Sequence, residues 1–277
     1  MLPDIEVENG QSLLWRIEGN GLQHPSWIFG TMHIIPTYDF QLGERLKQHL
    51  LEADEVVFEI DLNDKSQYAA VFRSFLPDGA SVRDYMSKEA FDSLKSFVLD
   101  TLHIGRLSWI SYQRMKPVFL SEILQMKAFG ADETSSFEMT FLKMANEAGI
   151  PVSGLETADY QMQILDSIPL DVQINMLMQT VRDYRREKAS LDTLIYYYRR
   201  QWIDSLASDI EAESTGFDEY NELLIYGRNH NWIPVMNSLM QKHSCFFAVG
   251  AAHLPGEKGV LQLLREAGYT VRPVQTD

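Results

Sequence analysis

Two stretches of the sequence share a pattern that can carry chemistry: "SWIFGTMH" at 26–33 and "CFFAVGAAH" at 245–253 each run from an apolar segment through a glycine to a histidine three residues later. An apolar run of this length reads as a buried strand, and a turn at its end puts the following residues at the carboxyl edge of a sheet, where α/β proteins assemble their sites. Gly30 and Gly250 are expected to permit backbone geometry that a Cβ forbids. His33 and His253 then emerge on the loops, where an imidazole can exchange a proton or bind a transition metal.

Two carboxylates sit in matching positions. In "VVFEID" (56–61), alternation puts Val57, Glu59 and Asp61 on one face and Phe58 and Ile60 on the other, so Glu59 interrupts a buried strand and needs a partner. Glu156 follows the short strand of "PVSGLET", with the favourable charge for a helix N-terminus as its plainer reading. Two histidines and two glutamates at strand ends suit a divalent transition metal, Mn²⁺, Co²⁺ or Zn²⁺, which would acidify a bound water and polarise a carbonyl. The same four side chains also suit a metal-free hydrolase, in which a histidine activates water and a glutamate orients it. They suit equally a binding protein that holds a peptide, pheromone or haem without turnover. Sequence spacing alone does not separate these readings.

The elements that must position these residues alternate in type. Two β-rich runs flank the turn-forming Gly19-Asn20-Gly21, which predicts a hairpin, and leucines at 42, 46, 50 and 51 predict a helix before the strand at 55–61. Helical spacing covers 87–104, 117–129 and 134–148, with Gly149 closing the last helix before a strand at 150–154. From 157 to about 242 the pattern is helical throughout. Leu191, Ile195, Tyr198 and Trp202 form a core-facing stripe there, and Pro169 falls in a helix's first turn. The carboxyl end returns to strand, helix and strand. The expected architecture is one α/β domain over 1–277: a central mixed sheet, flanking helices, and a long helical insertion at about 157–242.

Composition narrows the partners. A formal charge of −15 repels nucleic acid and anionic lipid over most of the surface, which leaves a peptide or small molecule as substrate. No apolar run reaches the roughly 20 residues that cross a bilayer. The polar start lacks the basic and apolar regions of a leader, so the protein is either cytoplasmic, or periplasmic or secreted after signal removal. The single cysteine, Cys245, lies in an apolar run and reads as a small core residue. His24, His49, His103, His230 and His243 fall in turns, helix surfaces or helix ends and read as structural or solvated.

The stretches "LLWRIEGNG", "SWIFGTMHIIP", "VVFEID", "MKPVFLSEIL", "FGADETSSFEMTFLKMANEAGIPVSGLETADYQMQILDSIP", "GRNHNWIPVM" and "FFAVGAAHLPGEKGVLQLLREAGYTVRPV" together make the chain resemble the TraB/GumN family, bacterial relatives of the Tiki metalloproteases, over about 13–274. The resemblance implies a mixed-sheet α/β core in two related halves, within a wider erythromycin esterase-like superfamily. It implies metal-dependent peptidase activity through both Gly-x-x-His elements. Carried over residue by residue, it marks His33, Glu59 and His253 as the centre, with Glu156 and Arg228 lining it; the arginine could clamp a substrate carboxylate or an oxyanion, or simply pair with an acidic helix neighbour. The chain departs from the family pattern at Gly227, where a polar or acidic residue is expected, and at Val118, where tryptophan is common.

Overall fold

The computed structural model describes residues 10–65, 72–128, 133–212 and 220–277. Six strands form one mixed sheet: β1 (Leu14–Gly19), β2 (Ser26–Thr31), β4 (Glu55–Ile60), β6 (Val152–Glu156), β7 (Cys245–Gly250) and β8 (Tyr269–Val274), in the order β6-β4-β7-β2-β1-β8. The two-residue strands β3 (Ile35–Pro36) and β5 (Thr134–Ser135) pair separately. β6, β4, β7 and β2 run parallel, and β1 is antiparallel to both β2 and β8. All six residues of β2 and of β7 are buried, the signature of central parallel strands covered on both faces. The hairpin at Gly19-Asn20-Gly21 forms with all three residues at positive φ, which explains its composition.

One face of the sheet packs Phe29, Phe58 and Phe246 against Phe137 and Phe141 of the helix Phe137–Ala148, and against Leu46 and Leu50 of the helix Glu44–Glu52. The other face packs Ile28, Val57 and Phe247 against Trp232, Met236 and Met240 of the helix Gly227–Met240 and against the helix Val260–Glu266. A third core lies off the sheet. There Phe91, Leu94, Leu120 and Leu124 meet Ile174, Leu177 and Met178, so helices on both sides of β6 in the sequence close on one another.

Several local expectations change on the structure. The segment expected as helix from 134 begins as β5 and turns helical only at Phe137, after Ser136 caps the helix by accepting from the Met139 amide. The helix expected to span 87–104 ends at Ser96 and continues as a π-helical turn at Phe97–Thr101, and position 129 at the end of another expected helix lies outside the described residues. Pro169 occupies the cap position just before the helix Leu170–Arg182 rather than its first turn. In the aromatic stripe, Ile195 and Tyr198 are buried, but the helix ends at Arg199, Gln201 takes φ +57°, and Trp202 is left 37% exposed.

The glycines at the strand ends serve space rather than backbone freedom. Gly250 has φ −54° and ψ 135°, open to any residue, and Gly30 lies within regular strand. A Cβ at Gly30 would lie 2.8 Å from Leu254 Cδ1 and 3.1 Å from Ala251 Cα, so the missing side chain lets β2 pack against the turn after β7. Gly154 is tighter, because a Cβ there would stand 2.7 Å from the Ile60 carbonyl carbon. Backbone cannot yield as a flexible side chain can. Gly154→Ala is expected to destabilise the protein by about 1–3 kcal/mol, read as a lower urea midpoint with unchanged slope.

Candidate active site

β4 and β6 pair with Ile60 opposite Glu156, which brings the carboxylates of Glu59 and Glu156 to the same end of neighbouring strands. Two carboxylates in so buried a place repel each other unless a cation joins them. Arg228 is that cation. Its Nη2 donates to Glu59 Oε2 at 2.5 Å and to Glu156 Oε1 at 2.7 Å, and its Nε donates to Glu156 Oε1 at 2.9 Å. Gln161 Nε2 also donates to both carboxylates, and Trp232 Nε1 donates to Glu156 Oε2 at 2.9 Å. Both oxygens of Glu156 are therefore engaged by this framework.

Arg228 reaches the pair from the first turn of the helix Gly227–Met240, directly after a π-helical turn at Glu222–Tyr226. Its Nη1 donates to the Leu224 carbonyl at 2.9 Å. The π-turn brings the Glu222 carbonyl oxygen to 2.8 Å from where a Cβ on residue 227 would lie, so Gly227, the departure noted in the sequence, is what fits there. π-turns of this kind recur where a helix must aim a side chain at a site.

The two histidines converge. A methyl placed on Gly250 would lie 3.3 Å from Glu59 Oε1, 3.5 Å from His253 Cδ2 and 3.7 Å from His33 Nε2. Each ring is held through Nδ1. His253, buried, donates to Asn229 Oδ1 at 2.6 Å; the Asn229 amide is oriented because its Nδ2 donates to the carbonyls of His253 and Lys258. His33 pairs with Glu138 Oε1 at 2.7 Å, and Glu138 also accepts from Thr31 Oγ1. The two Nε2 atoms are thus left to face the centre, where His253 Nε2 stands 3.8 Å from Glu59 Oε1 and 3.2 Å from Arg228 Nη1.

The charge states follow from these contacts. Burial alone would raise the Glu59 pKa, but His253, Arg228, His33 and the Gly250 amide outweigh it and hold the carboxyl down at about 2. Burial lowers His253 to about 4, with Arg228 and His33 adding to the effect against Glu59, so this ring is neutral near pH 7. His33 goes the other way: its hydrogen bond to Glu138 dominates over partial desolvation, and with the charges of Glu59, Glu138 and Glu122 it lifts the ring to about 9. Burial works against the Arg228 cation, but Glu59 and Glu156 reverse that and raise it.

His33, Glu59, Glu156, Arg228, Gly250 and His253 all meet at this sheet edge, while Gly30 stands one step back. Glu138, Asn229 and Gln161 were not singled out in the sequence. Glu138 carried one usable signal, an acidic residue two places after the helix-capping Ser136. A cleft of about 440 Å³ opens beside the centre, with His33, Glu59 and Glu138 on its polar side and Phe58, Ile60 and Met139 on its apolar side.

In metal-free protein, the opposed histidine shifts set the pH response. His33, with its folded pKa raised above 6.5, contributes stability that is complete below pH 6.5 and lost as pH rises through about 9. Glu59 contributes stability that is present above about pH 4.5 and lost as pH falls through about 2. His253, held neutral, costs stability as pH falls from 6.5 towards 4. NMR titration of the imidazole protons is expected to show one ring titrating near 9, and Glu138→Gln is expected to return that ring towards 6.5.

Comparison with known proteins places this geometry in context. The sequence model of the TraB/PrgY/gumN family matches residues 13–273. Among individual relatives, Metalloprotease TIKI1 of Danio rerio is 24% identical over 94% of this chain and 62% of its own length. Metalloprotease TIKI1 of Homo sapiens is 23% identical over 94% of this chain and 61% of its own. The chain thus spans less than two thirds of those two TIKI proteins. Uncharacterized protein YbaP of Escherichia coli K12 is 22% identical over 86% of this chain and 87% of its own length. No solved structure gives a significant match. With its match running across nearly all of the sheet and both Gly-x-x-His elements, the chain belongs to the TraB/PrgY/gumN family.

Proposed function

We propose that this protein is a metal-dependent hydrolase acting on peptides, with His33, Glu59 and His253 holding a divalent transition ion such as Mn²⁺, Co²⁺ or Zn²⁺. The observation that carries the reading is the matched tethering of the two rings: each is held through Nδ1, by Glu138 or by Asn229, which leaves Nε2 of His33 beside Gly250 and Nε2 of His253 3.8 Å from Glu59 Oε1. That is how metal-binding histidines are commonly held. The three donor atoms do not all lie within 4.8 Å of one another, since among the described residues only Glu55, His243 and Cys245 meet that limit. His253 and Glu59 are already at 3.8 Å, and His33, 69% exposed but tethered at Nδ1 by Glu138, closes the remaining gap by a tilt of its ring about that hydrogen bond. The names of the TIKI relatives, metalloproteases, support the same reading.

An ion of this class supplies an acidified water and a polarised carbonyl. The chain's own residues do the rest. Arg228, fixed between two carboxylates, offers positive charge to an oxyanion or a substrate carboxylate. Glu156, bound by Arg228, Gln161 and Trp232, serves in this reading to hold Arg228, whereas Glu59, whose Oε1 accepts from the Gly250 amide, is the carboxylate that stands 3.8 Å from His253 Nε2. The cleft, lined by Phe58, Ile60 and Met139, receives an apolar side chain beside the scissile bond.

One contact favours a metal-free hydrolase as the second reading. Arg228 Nη1 stands 3.2 Å from His253 Nε2, near the lone pair a metal would use. In that version neutral His253 takes a proton from water while Arg228 receives the developing negative charge.

Chelator-treated protein given a peptide mixture, with and without each of the three metals, separates the readings by mass spectrometry of the products. Metal-restored cleavage that disappears in His253→Ala supports the first. Cleavage indifferent to chelator but lost in His253→Ala supports the second, and stoichiometric peptide binding without products overturns both. For the first reading, Asn229→Ala is expected to weaken metal affinity about 10–100-fold, measured by calorimetry, because it removes the clamp on the His253 ring.

A further inference from the structure

At the opposite, amino edge of the same strands, Glu55 opens β4 and Cys245 opens β7, and the two are direct partners in the parallel register. Their side chains leave the sheet on the same face. His243 comes two residues before Cys245, where the chain enters the strand, and its Nε2 lies 2.5 Å from Glu55 Oε2. The carboxylate oxygen, imidazole nitrogen and Cys245 sulfur all fall within 4.8 Å of one another. Ser153 Oγ, from β6, donates to the other oxygen of Glu55 and fixes the carboxylate's orientation. Asp54, which accepts from the Ser244 amide at 3.0 Å, adds a second acidic side chain to the edge.

We propose that Glu55, His243 and Cys245 form a second cation site, separate from the candidate active site and suited to a thiophilic divalent ion of the Zn²⁺ or Co²⁺ class. One sulfur, one nitrogen and one oxygen donor, with water as fourth ligand, match the tetrahedral preference of these ions, and the sulfur and imidazole select against Mg²⁺ and Ca²⁺. Tetrahedral ligation needs donor separations of about 3.2–3.8 Å, so the His243–Glu55 pair, at 2.5 Å, has to open by roughly 1 Å while the sulfur stays within reach. His243 has room for that movement, being 30% exposed at the rim while Cys245 is buried. On binding, the ion replaces the thiol proton and any proton shared between His243 and Glu55, and these protons pass to solvent. Glu55 and Glu59 are four residues apart on β4, about 13 Å along the strand, so neither site shares a ligand with the other.

The chain's single cysteine makes the site readable on its own. Co²⁺ is titrated into the chelator-treated full chain and the near-ultraviolet thiolate-to-cobalt charge-transfer band is followed. A band that saturates, persists in His253→Ala and is displaced by Zn²⁺ is expected. His243→Gln, at the exposed rim, is expected to raise the Co²⁺ concentration needed by at least tenfold, and Cys245→Ser to abolish the band, with circular dichroism of each metal-free variant reporting its fold. Absence of a thiolate band up to millimolar Co²⁺ in folded protein overturns the proposal, and so does a band unaffected by His243→Gln. Because the active-site candidates contain no sulfur, loss of metal-dependent hydrolysis with this band intact would count against the hydrolase reading alone.

Discussion

The ion cluster of Arg228 with Glu59 and Glu156 is the constraint from which the rest of the site follows. Parallel pairing of β4 and β6 puts two carboxylates side by side at a place where water is scarce. Removing one partner of such a cluster leaves an uncompensated buried charge, a loss of about 3–5 kcal/mol in comparable cases. The guanidinium must therefore be delivered at a fixed point, and a π-turn followed by a glycine does this. The same helix then places Asn229 under His253 and Trp232 against both Glu156 and the His253 ring, whose centroid lies 4.5 Å away. One helical turn thus fixes a cation, a ring orientation and a carboxylate.

The site also joins the two faces of the sheet. Glu59, Glu156, Arg228 and His253 belong with the layer built on Trp232 and Met236, whereas Glu138, the partner of His33, rides on the helix whose Phe137 and Phe141 fill the opposite core. Tyr198 adds a third tie, donating from the helical region to the Gly30 carbonyl at 2.8 Å. A centre at the carboxyl edge of a parallel sheet is where both layers can reach the same point without crossing the strands.

Much of this was legible in the sequence because strand ends write their chemistry in short motifs. Glu59 stood out as a charge in an apolar strand, and Gly-x-x-His marked both loops. Glu138, Asn229 and Gln161 were not legible, since each is an ordinary polar residue on a helix, and its contact with His33, His253 or Glu59 spans from 24 to 105 positions. The reason for the glycines was misjudged for a related cause: φ preference is local, but the Leu254 and Ala251 atoms that crowd Gly30 are remote in sequence. Cys245 read correctly as a core residue, yet its neighbours Glu55 and His243 come together only through strand register and the turn before β7.

His33 and His253 differ in exposure, and this gives the centre two walls of different stiffness. His33, 69% exposed, is tethered at one atom by Glu138 and can pivot about that bond, whereas His253, locked by Asn229 and packed on Trp232, turns only when the surrounding structure opens, on microseconds or longer. One side of the centre is therefore as rigid as the core behind it, and the other yields through a single hydrogen bond at the protein surface.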